Sequence, residues 1–188
     1  MKAILTIAAL SVLLLALIFF APSQGNQIEQ GDISFVSIDA ENDQFEVLTV
    51  IELQPGTSIH FTDSEWNGNH FGFDESNLIW NTGEKPIPEG TLIQFNKLAE
   101  QPYATYGSLS NTMSLSKKGD AIFAYQGTTR MPTRILASVA NDSLAYGTLA
   151  NTGLIPGITA LTFTEKPQQT LYEEAPSIAS AEQPVKGN

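Results

Sequence analysis

Residues 33–62 read ISFVSIDAENDQFEVLTVIELQPGTSIHFT, and the alternation within this stretch decides the fold class. Ile33-Ser-Phe35-Val-Ser37 runs into an Asp/Asn/Glu cluster at residues 39–44, after which the pattern resumes from Phe45 to Leu53. In that second run Phe45, Val47, Ile51 and Leu53 share one face, and Glu46 and Glu52 take the other. Beyond Pro55-Gly56, Ile59 and Phe61 alternate with Ser58, His60 and Thr62, which places the first pair inward and the last three outward. A period of two belongs to half-buried strands, and the polar clusters between the runs favour turns.

The same texture continues outward. Leu78–Trp80, Leu92–Phe95, Ala121–Tyr125, Ile135–Val139 and 160–164 are further short strand candidates, giving about eight in all, and no segment carries an amphipathic helix. Pro55-Gly56, Pro88-Glu-Gly90 and Pro156-Gly157 each precede alternating apolar residues, so each reads as a turn launching a strand. Their uneven spacing indicates recurrent turn chemistry and not a solenoid. Eight short strands separated by turn signals predict an all-β chain, an antiparallel sandwich or barrel.

The ends differ from this body. Lys2 precedes an uninterrupted apolar run over residues 3–21, with small residues at Ser23 and Gly25, so residues 1–25 read as a signal helix, either cleaved after Gly25 or retained as an anchor. Lys2 before the run and Glu29 and Asp32 after it direct the rest out of the cytoplasm. Residues 26–165 then form one domain, and residues 166–188, rich in Pro, Ala, Ser, Gln and Glu, are expected to be a disordered tail. The 188-residue chain has no Cys, which excludes disulfides, thiol nucleophiles and CxxC zinc sites. Its net charge of −11 argues against a nucleic-acid partner. The acids concentrate early: residues 26–100 hold 14 of them against Lys85 and Lys97.

Taken in order, GDISFVSIDAENDQFEVLTVIEL, PGTSIHFTDSEWNG, a Trp-bearing strand, PEGTLIQF and SLSKKGDAIFAYQG give the chain a family likeness over about residues 31–140. It resembles a lamin-tail-like module of bacterial secreted proteins, on Phe61-Thr-Asp63 with Trp66 and on Leu115-Ser-Lys-Lys-Gly119-Asp120 leading to Phe123-Ala-Tyr125-Gln126. The resemblance implies an immunoglobulin-like sandwich used as an accessory or surface-binding module, and it carries over no catalytic residue.

Several residue groups have chemistry to weigh. Asp39, Glu41, Asn42 and Asp43 offer the hard oxygens calcium takes, although their spacing lacks the full EF-hand pattern and a hairpin turn uses the same residue types. No other cofactor is expected. His60, Asp63, Glu65 and His70 could supply a zinc set, and Asp74 with Glu75 opposite Asp63 and Glu65 a glycosidase pair, but neither has a diagnostic spacing. Trp66, Phe71 and Phe73 form the candidate ligand platform, with Tyr103 a further contributor, whereas Trp80 alternates with Leu78 and reads as core. No GxSxG, SxxK or phosphate-cradling Gly loop occurs.

These readings converge on an exported, non-catalytic β-sandwich that binds a cell-surface or extracellular protein or glycan, in adhesion or envelope assembly. A carbohydrate-binding module is the alternative and requires Trp66 and one or more of Phe71, Phe73 and Tyr103 to lie exposed in one plane. A metal-dependent hydrolase is a remote third and requires the histidines and carboxylates to converge. Membrane contact is expected only through residues 3–21.

Overall fold

The computed structural model describes residues 27–163, so the signal helix expected at 1–25 and the tail expected at 166–188 lie outside the described residues. Among the described residues the chain is all-β, with ten strands and no helix. They are β1 (Ile33–Asp39), β2 (Gln44–Thr49), β3 (Ser58–Thr62), β4 (Asn77–Asn81), β5 (Leu92–Asn96), β6 (Tyr103–Ala104), β7 (Ser108–Ser110), β8 (Ala121–Thr128), β9 (Met131–Ala140) and β10 (Ala160–Thr162). One sheet has four strands in the order β1-β2-β5-β6, and the other six in the order β10-β9-β8-β3-β4-β7.

The two sheets face each other across an aromatic core. Phe45 and Phe95 from the four-stranded sheet stack at 4.5 Å between centroids, and Phe61 of the other sheet meets them at 5.0 and 5.1 Å. Trp80 closes edge-on against Phe95 at 5.3 Å, and its indole Nε1 donates to Tyr106 O. All four rings are fully buried, and each contributes roughly 1.5–3 kcal/mol by leaving water. The β1 alternation shifts at a bulge between Phe35 and Ser37, so Ile33 and Phe35 are followed inward by Ile38 and not by Ser37.

Four expectations need correction. β6 and β7 are additional strands that the sequence conceals, because Tyr-Ala and Ser-Leu-Ser are too short and too exposed to show alternation. The run from Phe45 to Leu53 is not one strand: β2 ends at Thr49, and Leu53 pairs only with Ile87. β10 runs parallel to β9, making that sheet mixed, because the chain crosses over through residues 141–159 before returning alongside.

The fourth concerns burial on the outer side of the six-stranded sheet. His60 and Thr62 do point away from the sandwich core, yet both are buried. A second apolar cluster covers that side: Phe123 and Tyr125 of β8 and Ile135 of β9 pack under Trp66, Phe71, Tyr146 and Leu154 from the loops. β8 is therefore buried on both faces, which accounts for its continuous apolar run Ala-Ile-Phe-Ala-Tyr. The Pro-Gly turns are what their composition implies: Gly56, Gly90 and Gly157 all adopt positive φ.

Candidate functional site

The acidic loop between β1 and β2 is a hairpin turn held by its own side chains. Asp39 Oδ1 accepts from the amides of Glu41 and Asn42, and Oδ2 accepts from Asn42 Nδ2 and Gln44 Nε2. Burial pushes the Asp39 carboxyl up, but these hydrogen bonds outweigh it and hold the group below its ordinary value. Asp43, at φ 48°, turns its Oδ1 away to accept from Leu115 N at 2.6 Å. The Asp39 oxygens thus serve the turn, the Asp43 carboxylate a distant amide and Glu41 an ion pair with Lys117 Nζ at 3.8 Å. Among the described residues no three His, Cys, Asp or Glu side chains converge to hold a metal ion.

The zinc set is likewise dispersed. His60 stacks on Tyr125 at 5.1 Å and shares a hydrogen bond between Nδ1 and Asn77 Oδ1. His70 turns to the carbonyl of Phe71, 2.8 Å from Nδ1. Asp63, 6% exposed, accepts from Ser76 N at 2.7 Å. Its carboxyl is pushed up to about 6, first by burial and then by the charge of Asp120. Asp120 is raised too, chiefly by burial, against hydrogen bonds from Ser116 and Ala121 amides. Glu75 is pushed up to about 7 by burial and by the charges of Asp63, Asp120, Asp74 and Glu65. It stands at an exposed rim, where water screens much of that repulsion. The carboxylates named as a glycosidase pair are therefore electrostatic neighbours, with Asp63 bound to backbone.

The expected aromatic platform is absent. Trp66 is 5% exposed and Phe71 is fully buried, because both belong to the second core. Trp66 Nε1 donates to Ala150 O at 2.8 Å, and its ring meets Phe71 edge-on at 4.9 Å. These residues plug the outer side of the six-stranded sheet. Phe73 is exposed, with the Arg130 guanidinium 5.5 Å from its ring centre. Tyr103 is exposed too, but on the other sheet, so the two rings share no plane.

The strongest candidate surface gathers residues that lie far apart in the sequence. Among the described residues no second core covers the outer side of the four-stranded sheet, which presents rows of polar side chains next to the Leu48–Leu92 pair. Ser37 Oγ and Gln94 Nε2 both donate to the Glu46 carboxylate, at 3.0 and 2.8 Å, linking β1, β2 and β5 across the face. In the next row Asp39 opposes Gln44, the Phe45–Phe95 pairing sets Gln44 beside Asn96, and Asn96 opposes Tyr103. That row opens into a groove of about 860 Å³ lined by Asn42, Gln44, Asn96, Lys97, Gln101, Pro102 and Tyr103. Among the described residues, the side chains of Asn96, Lys97, Gln101 and Tyr103 have no hydrogen-bond partner.

The groove's frame is rigidly tied down. Lys97 O accepts from the amides of Glu100 and Gln101, closing the turn between β5 and β6. Leu98 is fully buried; its amide donates to Asp43 O at 3.1 Å, and its carbonyl accepts from Met113 N at 2.9 Å. The β1–β2 turn and the β5–β6 turn are thus held against each other, with the groove between their outer sides. Scattered Asn, Gln, Lys and Tyr residues give no spacing signal; only strand register gathers them.

Comparison with family models, with curated proteins and with solved structures returned no match.

Proposed function

We propose that this chain is an exported, non-catalytic module, an immunoglobulin-like β-sandwich of lamin-tail-like kind, that acts by surface binding in adhesion or cell-envelope assembly. One observation carries the reading: the two sheets are treated unequally. The six-stranded sheet is covered by a second core of Trp66, Phe71, Phe123, Tyr125 and Tyr146, whereas the four-stranded sheet keeps an open, mainly polar outer face. That face has the Leu48–Leu92 pair at one end and at the other a groove in which the Asn96, Lys97, Gln101 and Tyr103 side chains have no hydrogen-bond partner among the described residues. Sealing one face with large aromatics while leaving the other hydrated is an arrangement for contact on one side. Export rests on Lys2 and the apolar run after it.

The test is binding of the fluorescently labelled full chain to intact cells and envelope fractions. Gln94→Lys with Glu46→Lys on the open face is expected to abolish binding, and Leu144→Ser, on an exposed loop of the sealed side, to leave it intact. Equal binding by the open-face variant would refute the assignment of that face, and turnover of any ester or glycoside in a substrate panel would refute the non-catalytic part.

A further inference from the structure

We infer that the groove beside Tyr103 is a binding site for an uncharged oligosaccharide, a deepening that rests on the surface-binding reading above. The lining has the chemistry such a ligand needs. Asn42, Gln44, Asn96 and Gln101 each carry a carbonyl acceptor and an NH₂ donor side by side, the complement of neighbouring sugar hydroxyls that donate and accept in turn. Tyr103, 56% exposed, supplies a flat apolar face with a polar tip for the hydrophobic side of a sugar ring. Lys97 Nζ adds donors only.

Geometry sets the ligand's size. Gln44, Asn96 and Tyr103 lie on one row across β2, β5 and β6, so the polar floor spans about 10 Å at the usual strand separation, room for two linked rings. The floor is pre-formed, since Leu98 N, Met113 N and Leu115 N fasten the two turns that wall it. Little ordering therefore opposes binding.

Alternative occupants fit less well. β6 presents only two residues, a poor template for adding a peptide strand. Lys97 is the single cation in the lining; on the adjoining turn Glu41 is paired with Lys117 Nζ at 3.8 Å while Asp39 and Asp43 add negative charge, and the chain carries −11, a balance that disfavours sulfated or carboxylated glycans.

The experiment is a glycan array carrying uncharged, carboxylated and sulfated oligosaccharides, probed with the purified full chain in mild detergent, and affinities of the hits by calorimetry. Retention of uncharged oligosaccharides is expected. Tyr103→Ala and Gln101→Ala should each weaken it tenfold or more, and Tyr103→Phe should keep most of it. Tyr106→Ala, exposed but outside the groove, should change nothing. Melting curves confirm that each variant is folded. Absence of uncharged ligands, a preference for anionic ones, or equal binding by Tyr103→Ala would overturn the inference. If the chain still binds cells through its open face, and glycosidase treatment of those cells changes nothing, the oligosaccharide site falls while surface binding stands. If it binds no cell or envelope surface, both fall.

Discussion

Replacing Asp63 by Asn should make the protein more stable at neutral and alkaline pH, and the gain should vanish in acid. Asp63 is buried beside Asp120, and its carboxyl is pushed up from 3.8 to about 6 by burial and by that neighbouring charge. The folded protein therefore holds this proton more tightly than the unfolded chain does. The associated stability is fully present below pH 3.8 and is lost as the pH rises through about 6. That difference corresponds to about 3 kcal/mol at pH 8. The amide introduced by Asp63→Asn keeps an oxygen for Ser76 N, the 2.7 Å bond that holds the loop, while removing the charge. A gain of about 2–3 kcal/mol at pH 8 is expected, at roughly 2–4 °C in Tm per kcal/mol. Urea unfolding of both proteins between pH 4 and 8 measures it. Asp120 tilts both curves the same way, so the informative quantity is their difference. A difference that is flat with pH, or that favours the native Asp63 at pH 8, would refute the reasoning.

Other substitutions probe the remaining structure. Trp66→Ala should cost about 3–5 kcal/mol in denaturant unfolding, because it empties a buried position in the second core and orphans the Ala150 carbonyl. Asp43→Ala removes the acceptor for Leu115 N and should cost about 1–3 kcal/mol, read from the same transition. Adding calcium or EDTA should leave the melting temperature unchanged, since the Asp39 carboxylate is engaged by the turn and the Asp43 carboxylate by the Leu115 amide; a calcium-dependent rise would show that the loop can rearrange around an ion. Gly107→Ala, at φ +75°, would drive a methyl into Asn81 O and should destabilise by at least about 1 kcal/mol in thermal melts.

The long strands were legible because each buries one side: Phe45 and Val47, Ile59 and Phe61, Leu78 and Trp80, and Ile93 and Phe95 alternate with residues on the other side. The Pro-Gly turns were legible because only certain residues accept their backbone angles. Trp66 and Phe71 misled because they sit among Gly, Asn and His, a setting that reads as an exposed loop. That loop instead folds back onto Phe123 and Tyr125, drawing both rings out of water. β6 and β7 carry no apolar rhythm of their own and form only because β5 and β4 present unpaired edges.

Local patterning in this protein determined the strand class, the turns and the sequestered Trp80, since each follows from backbone preference and burial within a few residues. Which side of each sheet meets water was decided only by the tertiary fold. Covering the six-stranded sheet requires Trp66, Phe71, Tyr146 and Leu154 to arrive from loops far apart in the chain. The groove likewise gathers Asn42, Gln44, Asn96, Gln101 and Tyr103 from three strands and two turns. Such assemblies arise from non-local pairing, so no short window of residues contains them.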